Sequence, residues 1–282
     1  MRPDGIGSRS HGIHPIRARD LAVRGNLPQL PRKAVFGTLA PLTAPPTLIV
    51  TPTYNEKANL PIFADAVRRT IPYADVLVVD DNSPDGTGGV ADAIAASDAH
   101  VRVLHRASKL GLGTAYIEAF TQGLKEGYER FFEMDADLSH DVRYLPDFLS
   151  ALDEGYDLVI GSRNIPGGRI EGWGPARHLI SKGGSLYSRA ILGLGVRDLT
   201  SGYKAFTRRA LAAIDLARVH SNGYSFQIEM TYRALRRGMR AKEVPIVFVD
   251  RANGRSKMSS KIFLEAVGMV WKLRFDAMSG RF

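Results

Sequence analysis

From Thr47 onward, short apolar runs alternate with stretches of helical period, and that alternation leaves few folds open. Thr47-Leu-Ile-Val-Thr51, Asp75-Val-Leu-Val-Val79, Val101-Arg-Val-Leu104, Arg130-Phe-Phe-Glu-Met134 and Asp157-Leu-Val-Ile160 have the character of buried strands. Helical segments separate them: Glu56 to Arg69, with apolar positions at Leu60, Phe63 and Val67, then 85–97, 112–127 and 143–153. Such an order predicts an α/β fold, a mainly parallel sheet with helices on both faces. Ligands of these sheets gather outside the carboxyl ends of the strands, so the residues that follow each strand carry the functional argument.

The first strand runs into Pro52-Thr-Tyr-Asn-Glu56, where Pro52 cannot continue a ladder and Thr53 or Asn55 could cap the next helix. The second ends in Asp80-Asp81-Asn82-Ser83-Pro84-Asp85-Gly86-Thr87. Its carboxylates could accept hydrogen bonds from a base and a ribose, or serve as turn chemistry that starts a helix. After the third strand, Gly111 and Gly113 permit close backbone approach to an anion in front of a helix amino end. They are not a dinucleotide fingerprint, because they follow the third strand and Tyr116 occupies the last glycine position; an NAD enzyme is disfavoured. The fourth strand leads into Asp135-Ala-Asp137-Leu-Ser139-His140, and an Asp-x-Asp there can offer two hard oxygen donors to Mg²⁺ or Mn²⁺ shared with phosphates. The alternative is that Asp137 or Ser139 only caps a helix.

Six motifs in order resemble the polyprenol (dolichol) phosphate mannosyltransferases, inverting family 2 glycosyltransferases with a GT-A fold. They are Pro52-Thr-Tyr-Asn-Glu56, Asp80-Asp-Asn-Ser-Pro-Asp-Gly-Thr87, Met134-Asp-Ala-Asp-Leu-Ser-His140, Gly161-Ser-Arg163, Ser201-Gly-Tyr-Lys-Ala-Phe206 and Val244 to Arg251. The resemblance spans about residues 47–260. It implies transfer of mannose from GDP-mannose to the phosphate of a long polyprenol, with GDP released and a β-linked product. It further implies that Pro52, Tyr54, Glu56, Asp80 or Asp81, and Asp85 line the nucleotide pocket, and that Asp135 and Asp137 hold the divalent metal on the diphosphate. Some relatives complete the metal shell with Gln at the place of Ser139, whose shorter side chain leaves room for a bridging water. Arg163, Arg177 and Ser181 correspond to groups that meet the acceptor phosphate, the last two lying four apart on an expected helix from Pro175 to Leu194. Arg251 and Lys257, on a basic loop hinged at Gly254, would neutralise phosphate as that loop closes. Gln227 and Glu229 could orient the sugar or pin their helix to the core.

On this reading Asp137, Arg163 and Arg177 carry the reaction, and no general base is required. A phosphate monoester has its second pKa near 6 and is already a nucleophilic dianion at neutral pH. The difficulty is electrostatic: two anions must meet, and fixed cations with a divalent ion stabilise the encounter.

Charge distribution and composition bound the rest. The formal charge of +9 comes from the ends: residues 1–46 and residues 251–282 each hold seven basic and two acidic side chains, whereas 47–250 hold 24 basic and 25 acidic. A neutral body with basic ends is not the footprint of a nucleic-acid domain. With no cysteine there is no disulfide, thiolate metal site or thiol nucleophile. Residues 1–46, rich in Arg, Pro and Gly and ending in Pro45-Pro46, are expected to be a flexible basic arm without the apolar core of a secretory signal. Residues 47–259 form the expected transferase domain, and 260–282 an amphipathic helix. The stretch from Lys261 to Phe275 is too short and charged to span a bilayer. It either lies on a membrane surface through Trp271 and Phe275 or packs on the domain. The expected setting is peripheral, at the cytoplasmic face of a membrane, with a separate small membrane protein as partner. Two other readings remain: a related transferase using another donor such as UDP-glucose or a non-lipid acceptor, and a nonenzymatic nucleotide-binding subunit with a vestigial site.

Overall fold

A computed structural model describes residues 44–249 and 260–280, with backbone alone over 175–180 and 260–266. The expected arm up to residue 43, the loop with Arg251 and Lys257, and the Arg177 side chain lie outside the described residues.

Nine strands and eight α-helices are described: β1 (Thr47–Thr53), α1 (Leu60–Thr70), β2 (Asp75–Asp80), α2 (Thr87–Ser97), β3 (Val101–His105), α3 (Leu112–Glu126), β4 (Arg130–Glu133), α4 (Leu145–Asp153), β5 (Leu158–Ser162), β6 (Arg169–Glu171), α5 (Pro175–Leu192), β7 (Lys204–Thr207), α6 (Arg208–Ile214), α7 (Gly223–Arg236), β8 (Ala241–Pro245), β9 (Val247–Val249) and α8 (Ser260–Met278). Seven strands form the central sheet in the order β3-β2-β1-β4-β7-β5-β8. Every neighbouring pair is parallel except the two that β7 makes, with β4 and β5. β6 and β9 make a separate parallel ribbon.

Because side chains alternate along a strand, the central strands feed two cores. Leu48, Val50, Leu77, Val79, Phe131, Leu158, Ile160 and Phe206 enter one, with Tyr116, Phe120, Phe226 and Leu211 from α3, α7 and α6. Ile49, Val76, Val78, Phe132, Val159 and Ala205 enter the other, with Phe63, Val67, Ala91 and Phe148 from α1, α2 and α4. Sheet order reverses at β1: its first crossovers lead outward through β2 to β3, and β4 then lies on its other side. A crevice opens at such a switch point, at the carboxyl ends.

Helix α1 starts at Leu60, not Glu56, and neither expected cap serves it. Asn55 sits in the left-handed region at φ 64°. Glu56 to Asn59 make a separate turn in which the Glu56 carbonyl accepts from Asn59 and Leu60, and Pro61 sits in the first turn of the helix that begins at Leu60. The segment near 143 is likewise divided into a 3-10 turn, Val142–Tyr144, and α4. The C-terminal helix packs on the domain, the second of the two expected alternatives, and leaves one apolar face uncovered. Val270 and Leu273 are buried in the core, while Trp271, Phe275 and Met278 are exposed, the last by 70%.

Candidate active site

The first, second, fourth and fifth strands all end on one cleft of about 380 Å³, whose walls include Pro52, Tyr54, Glu56, Asp81, Asp135, Asp137 and Arg163. These residues come from sequence positions more than a hundred apart, and the parallel β2-β1-β4 register brings their strand ends together.

Asp80 and Asp81 have opposite fates, since consecutive strand residues face opposite sides. Asp80 turns into the body, where it accepts from Thr53 Oγ1 (3.1 Å), Ser83 N (3.1 Å) and Ser83 Oγ (2.6 Å), and it does not line the cleft. Asp81 does line the cleft, and it is held by Arg106 Nη1 (2.5 Å) and the Gly111 amide (3.2 Å). Asp85, expected in the pocket, is not among the residues of its wall and instead ties the first residue of α2 to the turn after β1, accepting from Thr87 N (2.9 Å) and Oγ1 (2.6 Å) and from Lys57 N (3.2 Å). Slight burial pushes its carboxyl up, but those hydrogen bonds prevail and hold it below the ordinary aspartate range. The glycines after β3 also differ from expectation. The Gly111 amide serves Asp81, and that of Gly113 donates to Asn222 Oδ1 (3.2 Å). A methyl group on Gly113 would lie 2.4 Å from the Ser221 carbonyl oxygen, so glycine here lets two chain segments touch.

The Asp-x-Asp loop is tightly turned. Leu138 has φ 65°, and Ser139 donates through both N (3.0 Å) and Oγ (2.6 Å) to Asp137 Oδ1. The Asp135 amide donates to His140 Nδ1 (3.0 Å), and the His140 ring stacks on Tyr203 with centroids 5.0 Å apart. His140 and Gln227 line the cleft beside Asp135: a methyl on Gly202 would meet His140 Cε1, Gln227 Nε2 and Asp135 Oδ2 at 3.5, 3.8 and 3.9 Å. Beneath them Lys204, opposite Glu133 across the β4–β7 pair, donates to the Gln227 carbonyl (2.7 Å) and to its side-chain oxygen (2.6 Å). Gln227 is thereby oriented through its oxygen, and Glu229 is held apart from the cleft by Ser221 and Arg233. Complete burial pulls the Lys204 amine down to about 8 against the attraction of Glu133, and it pushes Glu133 up to about 7 despite Lys204.

Arg163 is buried and doubly bonded to Asp198, Nε to Oδ2 and Nη2 to Oδ1, both at 2.7 Å. Burial opposes the Asp198 charge, but Arg163 holds its carboxyl below the usual range. The Arg163 guanidinium carbon also lies 5.4 and 5.9 Å from the Phe248 and Trp173 ring centres. Lys109 Nζ, also at the cleft, stands 3.7 Å over the Tyr54 ring. The cleft therefore brings acidic groups together with aromatic and cationic ones. Ser181 lies on α5, half-buried, and is not among the residues of the cleft wall.

Among the described residues no group of three or more His, Cys, Asp or Glu could enclose a metal ion. Two adjacent carboxylates with open space in front suit Mg²⁺ or Mn²⁺, which keep several positions for water and phosphate oxygens. Asp135 and Asp137 fit that donor set.

The glycosyl transferase family 2 model matches residues 48–215. The undecaprenyl-phosphate mannosyltransferase of Micrococcus luteus is 52% identical over 238 residues, covering 83% of this chain and 98% of that protein. The polyprenol monophosphomannose synthase of Mycolicibacterium smegmatis is 48% identical over 231 residues, covering 81% and 87%. Among solved structures, glucosyl-3-phosphoglycerate synthase from Mycobacterium tuberculosis in complex with phosphoglyceric acid superposes with a TM-score of 0.60 at 19% identity, covering 82% of this chain and 80% of that one. A mannosyltransferase from Pyrobaculum calidifontis, in complex with GDP-Man and Mn²⁺, gives 0.51 at 16% identity, covering 85% and 76%. These two likenesses concern the fold.

Proposed function

The chain belongs to glycosyl transferase family 2, and on that premise we propose that it transfers mannose from GDP-mannose to a polyprenyl phosphate. The observation that carries the reading is the convergence of Asp81, Asp135, Asp137 and Arg163 on one cleft, in a chain about half identical to two enzymes named for polyprenyl-phosphate mannosylation.

In this reading Pro52, Tyr54, Glu56 and Asp81 bind the nucleoside, with Asp81 presented by Arg106 as a fixed acceptor. Asp135 and Asp137 hold a divalent cation, which when bound would neutralise the diphosphate and ease its departure. Ser139 keeps the Asp137 carboxylate in place, and His140 holds the backbone at Asp135. Arg163, stiffened by Asp198, and Arg177, Arg251 and Lys257 gather the anionic groups. The acceptor phosphate oxygen forms a bond to the anomeric carbon while the bond to the GDP oxygen breaks, and GDP leaves with that electron pair. A single displacement inverts an α-donor to a β-product, and no proton has to be removed from a dianionic nucleophile. The absence of a carboxylate or imidazole general base from the scheme follows from that.

The acceptor brings the enzyme to a membrane, although among the described residues no helix is long and apolar enough to cross one. We assign it a peripheral place at the cytoplasmic face, with the exposed side of α8 toward lipid and a small membrane protein as partner. Incubation with radiolabelled GDP-mannose, Mg²⁺ and a short polyprenyl phosphate, then organic extraction, is expected to move label into the organic phase; EDTA is expected to abolish it. Label that stays in water, or that moves only with UDP-glucose, would overturn the assignment.

A further inference from the structure

A second pocket of about 440 Å³ borders Arg163 and shares no other lining residue with the substrate cleft among the described residues. Lys182, Ser185 and Arg189 enter it from α5, spaced three and four residues apart and so on one helix face. Asn164, following β5, and Arg197, following α5, close its sides. Among the described residues no carboxylate lines it. Arg163 is already matched by Asp198, whereas Lys182, Arg189 and Arg197 make no ion pair among the described residues, so their charge faces the pocket uncompensated.

Charge alone would describe a solvated surface, but two donors here are buried without partners. Ser185 is 2% exposed and its Oγ makes no hydrogen bond, and neither does the buried Nε of Arg189. Buried polar atoms are normally satisfied, and an orphaned hydroxyl and an orphaned guanidinium nitrogen four residues apart on one helix, both from residues lining this pocket, can serve an acceptor bound there. Asn164 Oδ1 is likewise buried and unbonded, and it can accept from a protonated anion oxygen. Several donors, excess positive charge and no competing carboxylate match a phosphate group.

We propose that this pocket is a second phosphate-binding site, separate from the substrate cleft, which takes the phosphate of an anionic lipid headgroup or a free phosphate. It stands independently of the transfer reaction, because Lys182, Ser185, Arg189 and Arg197 have no role there.

Titration calorimetry of the full chain with inorganic phosphate, at an ionic strength held constant with chloride, tests it. A saturable event is expected whose Kd rises about tenfold or more in K182Q/R189Q, as loss of charge-assisted hydrogen bonds requires, and which persists in R177Q. Ser185→Ala is expected to weaken phosphate severalfold without lowering the Tm of the unliganded protein, since it removes an unsatisfied buried hydroxyl. Flotation with phosphatidylcholine vesicles, with or without phosphatidylglycerol, identifies the source. Phosphatidylglycerol-dependent flotation lost in K182Q/R189Q assigns a lipid headgroup, and phosphate binding without it assigns a free phosphate. Equal behaviour of wild type and K182Q/R189Q in both measurements, or loss of phosphate binding in R177Q alone, overturns the proposal. No readout here needs sugar transfer, so a failed transfer assay would count against the proposed function only.

Discussion

Arg163 and Arg189 stand around the same pocket, yet one is locked and the other is not. Arg163 lies in a buried, bidentate pair with Asp198, which is itself fixed by backbone bonds to Arg163 and to Glu243. Arg189 offers a buried Nε to nothing. The first arrangement makes a guanidinium into scaffolding, whose charge is cancelled from within and whose position is thereby set. The second keeps a charge whose counterion must arrive from outside. The acidic groups divide in the same manner: Asp80 is enclosed by Thr53 and Ser83, while Asp137 is braced on one oxygen by Ser139 and still borders the cleft.

That division can be broken most forcefully at Asp198. Asp198→Ala leaves a buried guanidinium without its counter-charge and is expected to cost about 3–5 kcal/mol in urea unfolding, whereas the double change Arg163→Met with Asp198→Leu should recover most of that loss while transfer stays low. Recovery of transfer by the double variant would make Arg163 scaffolding alone. Next in size, Asp137→Ala is expected to lower kcat by about 10²–10³ with the unfolding midpoint nearly unchanged, the reverse of the Asp198 pattern. Equal losses of stability at both sites would remove the distinction between braced and enclosed carboxylates.

Lys204 sharpens the comparison by pH. Its folded pKa, near 8, lies below the unfolded value of 10.5, so the unfolded chain binds more protons between them. The group's contribution is full above the upper value and is lost as pH falls through the lower one. Wild type should therefore gain on Lys204→Met by about 3 kcal/mol as pH rises from about 8 to about 10.5, read as the difference between two urea series. A flat difference would mean that Lys204 shares its proton with Glu133 more evenly than burial implies. The smallest effect is expected at the surface of α8, where Phe275→Ser, at a 60% exposed position, should reduce vesicle flotation about tenfold or less without altering transfer in detergent.

Much of this was legible in the sequence wherever function follows from chain-local pattern. The sequence marks β1 to β5 to within two residues, because strands buried on both faces are continuous apolar runs, and the acidic ends of β2 and β4 mark the rim of the cleft, whereas β6 to β9, antiparallel β7 among them, carry no such run. What the pattern hid depends on remote partners. Nothing local tells Asp80 from Asp81; Thr53 and Arg106, from β1 and the end of β3, decide it. Apolar spacing places the start of α1 four residues early because the left-handed turn at Asn55 leaves no trace in it. His140 stood inside a recognised motif without a role, since its bond to the Asp135 amide and its stacking on Tyr203 involve the turn and a strand still to come. The sequence does carry one signal for Lys204 that the strand reading leaves unused: Glu133 follows two phenylalanines in an apolar strand, and a buried carboxylate calls for a cation, here Lys204 across the β4–β7 pair.

Strand β7 also dictates an order of assembly. Strands β1 to β4 can pair as soon as they emerge during synthesis, but the outer edge of β4 is covered only when the residue opposite Glu133, Lys204, has been made, more than seventy positions later. At about 5–20 residues per second the nascent chain exposes that edge for several seconds. The strip of unpaired amides is a docking point for chaperones and for other nascent chains. Overexpression should therefore yield aggregates seeded at this edge, and slower synthesis should yield fewer.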